Sequence, residues 1–585
     1  MIEVRQVPPQ ALRHLLAAGV PPVMARLLAA RGIDDAGHLS HDLARLAPPD
    51  AMKGLGAAAR MLADALAAGE RICIVADYDC DGATACAVAI RGLRALGAAA
   101  GQVDYLVPNR FEHGYGLTEP VVELAARHPR LGRPDWLVTV DSGIANVEGV
   151  AAARAAGMHV IVTDHHLPAQ TLPPADAIVD PNQPGCEFPS RHLAGVGVVF
   201  YLLLALRAEL RRRDSGGAAA RAPLQRLLDL VALGTVADLV RLDGNNRLLV
   251  AAGLQRIRAG ATCAGIRALL QVAGRDHRRA SSSDLGFAIG PRINAAGRLA
   301  DISLGIECLV TDDEARATEL ATALDAINRE RRGIESTMRD EALAALDELP
   351  GLGTDRKSVV LHRAGWHEGV IGLVASRVKE RVNRPTVALA ASAADPALLR
   401  GSGRSIAGVH LRDVLDLVDK RAPGLLLRFG GHAMAAGLTL RASRLDEFAL
   451  LLEQAVEAFA DPSCFASTLL TDGPLPAAEI DLPLVDALEG EVWGQGFPPP
   501  LFSDEFAVLR QSVVGARHLK VQLRAAAGQR LDAIAFGRTD PLPASAHIAY
   551  RLMRDEYQGL ANVRLVIEAA ESASADTQRA RPGPV

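Results

Sequence analysis

Cysteine, lysine, aromatic residues and long apolar runs are all scarce in this sequence. Its 585 residues include seven cysteines with no paired Cys-x-x-Cys spacing, which argues against a disulfide framework or a zinc site and favours a reducing cytoplasm. The longest apolar run, residues 193–206, is shorter than the roughly 20 residues that cross a bilayer. Charged residues interrupt residues 1–16, which lack the apolar core of a signal peptide. We expect a soluble, cytoplasmic protein without membrane contact.

The charge balance gives no argument for nucleic-acid binding. The formal net charge is −5, and only five of the 63 basic residues are lysine, which leaves 58 arginines. Arginine suits bidentate contacts with phosphate, but a coding bias toward alanine, glycine and arginine explains the excess equally well. The length of the chain favours several domains, because single cores rarely grow beyond about 300 residues.

Helix and strand patterns alternate from residue 55 onward. Helix patterns cover residues 57–68 and 83–96, and apolar runs of strand length cover 71–76, 103–107, 136–140, 159–163 and 177–179. This alternation predicts a parallel, doubly wound α/β sheet, in which ligands bind beyond the carboxyl ends of the strands. The preceding residues, with proline pairs at 21–22 and 48–49, are expected to form a helical cap.

Acidic residues and histidines follow these apolar segments repeatedly. Residues two apart share a face of an extended chain, so the first three acids are expected to crowd one side of a turn. Carboxylates at such short distances repel one another unless a cation lies between them. Each acid alone also fits a helix cap or a turn, but together they predict a two-metal site for Mn²⁺ or Mg²⁺. The set is Asp77, Asp79, Asp81, Asp141, His165, His166 and Asp238, the last of which follows the apolar segment 227–237.

Several segments carry a family resemblance. Asp164-His165-His166, together with Asp-Tyr-Asp-Cys-Asp-Gly at 77–82, resembles the DHH phosphoesterase superfamily. Three further segments are similar to the RecJ family within it: Val-Pro-Asn-Arg-Phe-Glu-His-Gly-Tyr-Gly-Leu at 107–117, Gly-Thr-Val-Ala-Asp at 234–238, and Gly-Pro-Arg-Ile-Asn-Ala-Ala-Gly-Arg at 290–298. The resemblance extends from about residue 55 to about residue 437, and we expect it to continue toward the C-terminus.

The resemblance implies a role for each residue of the site. His166 is expected to touch the scissile phosphate, and Asp164 to orient the two histidines. Asn109, Arg110 and Glu112 follow the second strand and are expected to reach the same cleft, although the glycine-rich turn at 114–116 also fits a packing role. The expected ligands of two metal ions, with Asp141 as the bridge between them, are Asp77, Asp79, Asp81, Asp141, His165 and Asp238.

The second half of the chain predicts a long helix, a smaller α/β domain and a β-barrel. Residues 311–349 have apolar positions at helical spacing and predict one amphipathic connecting helix. Strand patterns at 358–361 and 386–389 precede glycine-rich segments at 401–405 and 430–437. In the last part, Phe506 and Phe536 are available for base stacking or for core packing. An antiparallel barrel of the OB type is favoured by six short runs at 479–482, 506–514, 519–523, 531–536, 547–552 and 563–569.

By resemblance, the smaller domain is the DHH-associated domain that binds the 5′-terminal end of the strand. Small residues let backbone amides approach phosphate, and Arg404 with His432 would complete an anion pocket. As an alternative to nucleic-acid contacts by Arg292 and Arg298, Asn294 and the glycines around it are expected to shape a helix junction. The residues expected to contact nucleic acid are Arg292, Arg298, Ser402, Arg404, Ser405, Gly430, Gly431 and His432.

These patterns divide the chain into six predicted segments. They are a helical cap at residues 1–54, a DHH catalytic domain at 55–310, a connecting helix at 311–349, a DHH-associated substrate-binding domain at 350–460, an OB-like domain at 465–571 and a disordered tail at 572–585.

The resemblance implies a 5′→3′ exonuclease that hydrolyses single-stranded DNA to 5′-mononucleotides in DNA repair and recombination. Its cofactors would be two Mn²⁺ or Mg²⁺ ions. It would act as a monomer, and its partners would be a single-strand binding protein and a helicase. An alternative is a DHH phosphoesterase that acts on short oligonucleotides or small phosphate esters; the predicted barrel and residues 107–117 argue against it. A non-catalytic scaffold of the same fold is a third hypothesis, disfavoured because a scaffold needs no buried like charges.

Overall fold

The structure is a computed structural model that describes residues 2–109, 113–347, 356–393, 395–466, 468–557 and 560–572. The chain divides into two compact units. The described parts of residues 1–294, 302–322 and 469–585 form the first unit, and those of 295–301 and 323–468 form the second. No described helix has the length and apolarity that a bilayer crossing requires. The predicted tail, apart from Ser572, lies outside the described residues.

The first unit begins with a short strand and two helices, β1 (Ile2–Val4), α1 (Pro9–Ala17) and α2 (Pro22–Ala29). Both helices start at a proline, whose fixed φ suits the first helical position. Most of α2 is buried. Helices were predicted for this segment, whereas β1 was not.

A five-stranded parallel sheet follows, with the strand order β3-β2-β4-β5-β6. The two strands β2 and β4 are buried at every residue, as expected where helices cover both faces. The predicted doubly wound sheet is confirmed. In chain order its elements are α3 (Leu55–Ala68), β2 (Ile72–Ala76), α4 (Cys80–Ala95), β3 (Val103–Leu106), α5 (Glu119–Ala126), β4 (Trp136–Val140), α6 (Val147–Ala155), β5 (His159–Thr163), β6 (Ala177–Val179) and α7 (Gly195–Arg213).

Helices alone continue the chain after the sheet. The apolar segment before Asp238 is therefore a helix and not a further strand, because its residues pack on α4 and α7 rather than at a sheet edge. A π-helical turn, Leu285–Ile289, runs directly into α12. The predicted connecting helix is one continuous helix, α14, of 34 residues. The helices are α8 (Leu228–Ala237), α9 (Gly244–Arg258), α10 (Ala264–Val272), α11 (Ser282–Asp284), α12 (Gly290–Leu299), α13 (Ser303–Val310) and α14 (Glu314–Asp347).

The second unit contains a five-stranded mixed sheet with the order β10-β11-β9-β8-β7. Strands β7 and β8 are parallel, and the other neighbours are antiparallel. Apolar clusters cover both faces of the sheet. The elements are β7 (Val359–His362), α15 (Ile371–Val382), β8 (Thr386–Ala391), β9 (Leu398–Arg404), α16 (Leu411–Arg421), β10 (Leu426–Gly431), β11 (Ala435–Arg441) and α17 (Leu445–Phe459).

The chain then returns to the first unit and ends in a closed five-stranded barrel, β13-β14-β15-β17-β16. Five of the six runs predicted as strands lie in it. The run at 479–482 does not lie in the barrel, because a helix starts within it. Asp481 caps this helix, α18, by accepting a hydrogen bond from the backbone N of Leu484. Phe506 is a core residue, 3% exposed, whereas Phe536 is 54% exposed. The elements are β12 (Leu469–Thr471), α18 (Leu482–Gly490), β13 (Phe502–Val514), β14 (His518–Arg524), β15 (Arg530–Ala535), β16 (Ser545–Tyr557) and β17 (Leu560–Ser572).

Two contacts tie the N-terminal segment to the residues before the barrel. Strand β1 pairs in parallel with β12, with Ile2 opposite Leu469 and Val4 opposite Thr471. Arg31 donates to both carboxylate oxygens of Asp472 at 2.8 Å. The two side chains of this ion pair are only 1% and 2% exposed.

Candidate metal centre

The turn between β2 and α4 positions the first three acids. Asp79 caps α4, because its Oδ1 accepts hydrogen bonds from the backbone N of Asp81 at 2.9 Å and of Gly82 at 3.1 Å. A Cβ on Gly82 would come within 2.5 Å of the carbonyl oxygen of Asp77, so the turn requires glycine there. The expectation that the acids alternate along an extended segment is wrong, since the helix starts at Cys80. The same turn nevertheless brings the acids together.

The N-terminus of α7 holds the carboxylate of Asp81. This side chain is fully buried, and its two oxygens accept hydrogen bonds from the backbone N of Gly195 at 2.7 Å and of Val196 at 2.9 Å. The free amides and the dipole at a helix start favour an anion in this position. The contact joins residues 114 positions apart, and no sequence pattern predicted it.

Asp141 follows β4 in a left-handed backbone conformation, with φ at 61°. Leu239, directly after Asp238, has a similar φ of 60°. Positive φ values are uncommon outside glycine, and such strain collects at functional sites. Oδ1 of Asp141 is buried and accepts no hydrogen bond from the part of the chain that the structure describes.

The Asp-His-His segment follows β5. Asp164 is buried and accepts four hydrogen bonds: from the backbone N of Ile144 at 2.9 Å, from the backbone N of His165 at 2.7 Å, and from the backbone N and Nδ1 of His166 at 3.1 and 2.7 Å. These contacts orient the ring of His166 and hold the backbone at His165. Asn182 adds a hydrogen bond from Nδ2 to the carbonyl oxygen of His165 at 2.6 Å.

The predicted ligands converge at the carboxyl edge of the sheet. Nε2 of His165 lies 3.1 Å from Oδ1 of Asp141 and 3.5 Å from Oδ2 of Asp238. Three groups of side chains have ligand atoms within 4.8 Å of one another, and Asp141 and His165 each belong to two of them. The groups are Asp77, Asp79 and Asp141; Asp81, His165 and Asp238; and Asp141, His165 and His166.

Burial and mutual repulsion oppose ionisation of these acids. Burial, and then the charge of Asp79, raise the pKa of Asp77 from 3.8 to about 8 and that of Asp81 to about 7. Burial, followed by the charge of Asp81, raises the pKa of Asp141 and of Asp238 well above the ordinary range. A bound divalent cation removes this conflict, because it compensates the carboxylate charges and provides the oxygen atoms with a partner. The donor set therefore fits Mn²⁺ or Mg²⁺.

His166 is held in a different environment from His165. Burial lowers the pKa of His166, but the hydrogen bond and charge of Asp164 outweigh this effect and raise it to about 9. Tyr115 Oη lies 3.5 Å from Nε2 of His166, and its ring meets the ring of Tyr78 edge-on at 5.7 Å. Tyr115 was considered only as part of a glycine-rich turn. Its position between two glycines, Gly114 and Gly116, was the signal available in the sequence; both glycines have positive φ in the structure.

Two of the other predicted catalytic residues, Arg110 and Glu112, lie outside the described residues. Asn109 closes a turn, since its backbone N donates to Nδ1 of His113 at 3.1 Å and its carbonyl oxygen accepts from the backbone N of His113 at 2.8 Å. The role of these three residues stays a prediction.

The segment at 290–298 reaches the first turn of α4. Oδ1 of Asn294 accepts a hydrogen bond of 2.7 Å from the backbone N of Cys80. Arg292 donates to Ala288 O at 2.5 Å within its own helical segment. In the second unit, Arg298 donates to Gly369 O at 3.0 Å. Asn294 thus supports the helix junction that was left open as an alternative.

The second unit brings most of its predicted residues together at one end of its sheet. In neighbouring strands Gly430, Gly437 and Ser402 lie in one row, and Gly431 and Ala436 lie in the next. His432 follows at the surface.

Arg404 lies at the same end, beside the start of α15. It donates to Ser402 Oγ at 3.0 Å and to Gly403 O at 2.8 Å. A Cβ on Gly372, in the first turn of α15, would lie 2.9 Å from Nη2 of Arg404. Burial lowers the pKa of Arg404. Ser405 is buried separately, with its hydroxyl donating to Val409 O at 2.6 Å.

Known proteins are similar to this chain over most of its length. The chain is 45% identical over 572 residues to the single-stranded-DNA-specific exonuclease RecJ of Escherichia coli, with 94% of this chain and 96% of that protein covered. This chain belongs to the RecJ family. Three family descriptions match it: the DHH family N-terminal domain at residues 71–235, the DHHA1 domain at 356–458 and the RecJ OB domain at 471–569.

Other RecJ proteins extend the similarity. RecJ of Haemophilus influenzae is 43% identical, with 94% of this chain and 96% of that protein covered. The crystal structure of Thermus thermophilus RecJ in complex with Mn²⁺ is 31% identical and matches with a TM-score of 0.80, covering 98% of this chain and 80% of that one. The complex of the same protein with Mg²⁺ matches with a TM-score of 0.75 at 30% identity, covering 98% and 79%. Relatives of the same fold thus bind both ions that the donor set fits.

Proposed function

We propose that this RecJ family member is a metal-dependent exonuclease that hydrolyses single-stranded DNA from the 5′ end to 5′-mononucleotides. The convergence of Asp141 and His165 in the candidate metal-binding groups carries the proposal. The relatives named above are single-stranded-DNA-specific exonucleases, which supplies the substrate class. The intact set of acids and histidines supports catalysis rather than a scaffold role.

The acids and His165 would hold two ions. Asp77, Asp79 and Asp141 would hold one, and Asp81, His165 and Asp238 the other, with Asp141 close enough to serve both. When bound, a pair of Mn²⁺ or Mg²⁺ ions activates a water molecule and stabilises charge on the phosphate oxygens. The amides of Gly195 and Val196 keep Asp81 in place. No Ser or Cys nucleophile is required.

His166 would bind the scissile phosphate. Its Nδ1–H is donated to Asp164, which favours the protonated ring. A protonated ring presents Nε2–H to an anionic oxygen, and such charge-assisted hydrogen bonds are stronger than neutral ones. Asp164 would thus act as a positioning residue for both histidines. Asn109, Arg110 and Glu112 remain assigned to the substrate cleft.

The polarity of cleavage would come from the second unit. Arg404 lies beside the first turn of α15, where backbone amides and a guanidinium group suit a terminal phosphate. This phosphate site would be completed by Arg298, Ser402, Gly430, Gly431 and His432. Arg292, in the first unit, would contact nucleic acid. Ser405 would support the site through the turn at Val409.

The cellular setting follows from the same proposal. A nuclease of this kind would act in the cytoplasm in DNA repair and recombination, as a monomer, together with a single-strand binding protein and a helicase. The seven cysteines are all free thiols, which agrees with a reducing compartment.

A strand labelled at either end tests the proposal. Long single strands carrying a 5′ or a 3′ label, a blunt duplex and a dinucleotide should each be incubated with Mn²⁺, with Mg²⁺ and with chelator. We expect early release of the 5′ label as a mononucleotide from the single strand alone, and none with chelator. Early release of the 3′ label would contradict the polarity, and cleavage confined to the dinucleotide would favour the alternative phosphoesterase.

Arg404→Gln tests the phosphate site separately. We expect it to abolish the preference for a 5′-phosphorylated strand over a 5′-hydroxyl strand, with activity on the latter retained. Arg441→Gln, at the opposite end of the same sheet, is the matched control and should keep the preference. An unchanged preference in Arg404→Gln would remove this residue from the site.

A further inference from the structure

A pocket in the first unit, away from the metal centre, is lined by arginines from three elements. Arg91 and Arg94 come from the C-terminal part of α4, whereas Arg221 and Arg226 come from the 3₁₀ turns Ala219–Arg221 and Leu224–Leu227. We call this cavity of about 400 Å³ the arginine pocket. Its volume is in the range of small-molecule sites.

The arginine pocket carries an excess of positive charge. Its lining contains four guanidinium groups but one carboxylate, Asp312. Arg91 uses that carboxylate, at 2.6 Å, and donates to Val310 O at 2.8 Å. Within the described chain, no carboxylate forms an ion pair with Arg94, Arg221 or Arg226. These three exposed side chains therefore present donors to an anion.

A structural role of these arginines explains only part of the arrangement. Basic residues near a helix C-terminus stabilise the helix dipole, and this accounts for Arg94. It does not account for Arg221 and Arg226, which come from other elements and line the same cavity. An exposed cluster of like charges is unfavourable without a counterion.

The rest of the pocket is apolar and held in place by hydrogen bonds. Ala222, Leu224 and Leu227 are buried and line the cavity. Arg207 donates to Ala222 O at 3.1 Å, and Arg221 donates to Gly216 O at 2.9 Å. The pocket therefore combines an apolar lining with exposed arginines. This combination suits a ligand that has one flat apolar part and one polyanionic part.

We propose that the arginine pocket binds a free nucleoside triphosphate. Its phosphates pair with Arg94, Arg221 and Arg226, whose planar guanidinium groups match phosphate oxygens in bidentate geometry. Its base lies on the apolar lining. A cavity of this size holds one nucleotide, whereas a DNA strand would need an extended groove.

The pocket is separate from the metal centre. Asp81 lies in the first turn of α4 and Arg94 in its last turn, so 13 residues at a rise of about 1.5 Å separate them by roughly 20 Å. Binding at the arginine pocket is therefore measurable without divalent metal, and the inference does not depend on the proposed exonuclease function.

Calorimetric titration of the full chain in EDTA tests the proposal, with ATP, AMP, tripolyphosphate and a 12-nucleotide single strand as probes. We expect saturable binding of ATP, tighter than that of AMP and of tripolyphosphate. Arg94→Gln combined with Arg226→Gln should weaken ATP binding at least tenfold. The matched control is Arg13→Gln with Arg60→Gln, which removes two exposed arginines from other helices of the same unit and should leave the affinity unchanged. Equal thermal unfolding of both double variants shows that the fold is intact.

Three outcomes would overturn the proposal. ATP affinity that is the same in both double variants would locate binding elsewhere. Tripolyphosphate binding as tight as that of ATP would show that the base is not recognised. Loss of affinity for the 12-nucleotide strand in the pocket variant, without any binding of ATP, would make the pocket part of a DNA path instead.

Discussion

Nε2 of His165 lies 3.1 Å from Oδ1 of Asp141, although the two residues follow different strands of the sheet, β5 and β4. Asp141 also belongs to the group formed with Asp77 and Asp79. We expect Asp141→Asn to lower the cleavage rate by more than the roughly 100-fold effect typical of residues around the metal ligands, with the affinity for single-stranded DNA largely unchanged. Single-turnover cleavage and strand binding measured in parallel check this expectation.

Asp135→Asn is the matched control for this change. Asp135 precedes the same strand, β4, at its amino end and accepts a hydrogen bond from the backbone N of Arg71 at 2.8 Å. The variant should cleave at the normal rate. Comparable loss of activity in both variants would mean that Asp141 acts through the stability of the strand.

Gly195→Ala should disable the site without removing a ligand. A Cβ at this position would lie 2.6 Å from both Cβ and Oδ1 of Asp141, which forces that side chain to move. We expect Mn²⁺ affinity, measured by titration calorimetry, and the cleavage rate to fall together, each by at least about tenfold. Gly244→Ala changes the first residue of α9, where a Cβ meets nothing within 4 Å, and should affect neither quantity. Normal cleavage by Gly195→Ala would show that Asp141 tolerates displacement.

Asp164→Asn should change the titration of His166. The carboxylate raises the pKa of His166 to about 9 against the opposing effect of burial, so its neutral replacement should lower this pKa. Proton NMR titration of the metal-free protein measures the shift, and the cleavage rate should fall by about 10- to 100-fold, as for other residues that orient metal ligands. An unchanged pKa of His166 would contradict its assigned dependence on Asp164.

Metal binding should stabilise the protein more at pH 8 than at pH 5. The folded pKa values of Asp77 and Asp81, about 8 and about 7, lie above the ordinary 3.8. In the metal-free protein, these groups keep protons that the unfolded chain has already released, so stability falls as the pH rises from about 4 to about 8. Mn²⁺ binds the deprotonated carboxylates and offsets this loss. Thermal unfolding with EDTA and with Mn²⁺ at both pH values measures the difference; an equal gain would contradict the raised pKa values.

The ion pair of Arg31 and Asp472 should contribute strongly to stability. Asp472→Asn leaves a buried guanidinium without its counter-charge, a change that typically costs about 3 to 5 kcal/mol. The control is Glu307→Gln, which alters a two-bond pair with Arg316 whose side chains are 43% and 39% exposed and should cost at most about 1 kcal/mol. Thermal unfolding of both variants gives the comparison. Similar shifts would mean that burial adds nothing to the Arg31 pair.

Sequence patterns located the sheet because its strands are short apolar runs between polar turns. The predicted bounds 136–140 and 159–163 agree with β4 and β5. The run at 479–482, Glu-Ile-Asp-Leu, alternates acidic and apolar residues as a strand would, but it folds as a cap and helix start, because the side chain of Asp481 accepts a hydrogen bond from the backbone N of Leu484. Local capping here prevails over the apolar pattern.

Most candidate ligands were predictable because parallel strands place the residues that follow them at one edge of the sheet; Asp238 follows a helix instead. The backbone and side-chain contacts that hold these ligands in place were not predictable. Gly195 and Val196 bind Asp81 across more than 110 residues of sequence, and Asn294 binds Cys80 across 214. Backbone amides carry no side-chain signature, so a contact of this kind becomes visible only in the folded chain.

The pairing of β1 with β12 has a consequence for protein synthesis. Residues 2–4 are synthesised long before their partners, residues 469–471. At a typical elongation rate of roughly 5 to 20 residues per second, about half a minute to a minute and a half passes between the synthesis of β1 and that of β12. A similar time passes between the synthesis of Arg31 and that of its partner Asp472. Strand β1 thus reaches its native contacts long after its own synthesis. A polypeptide that ends before residue 469 would leave an unpaired strand edge at β1 and an uncompensated charge at Arg31.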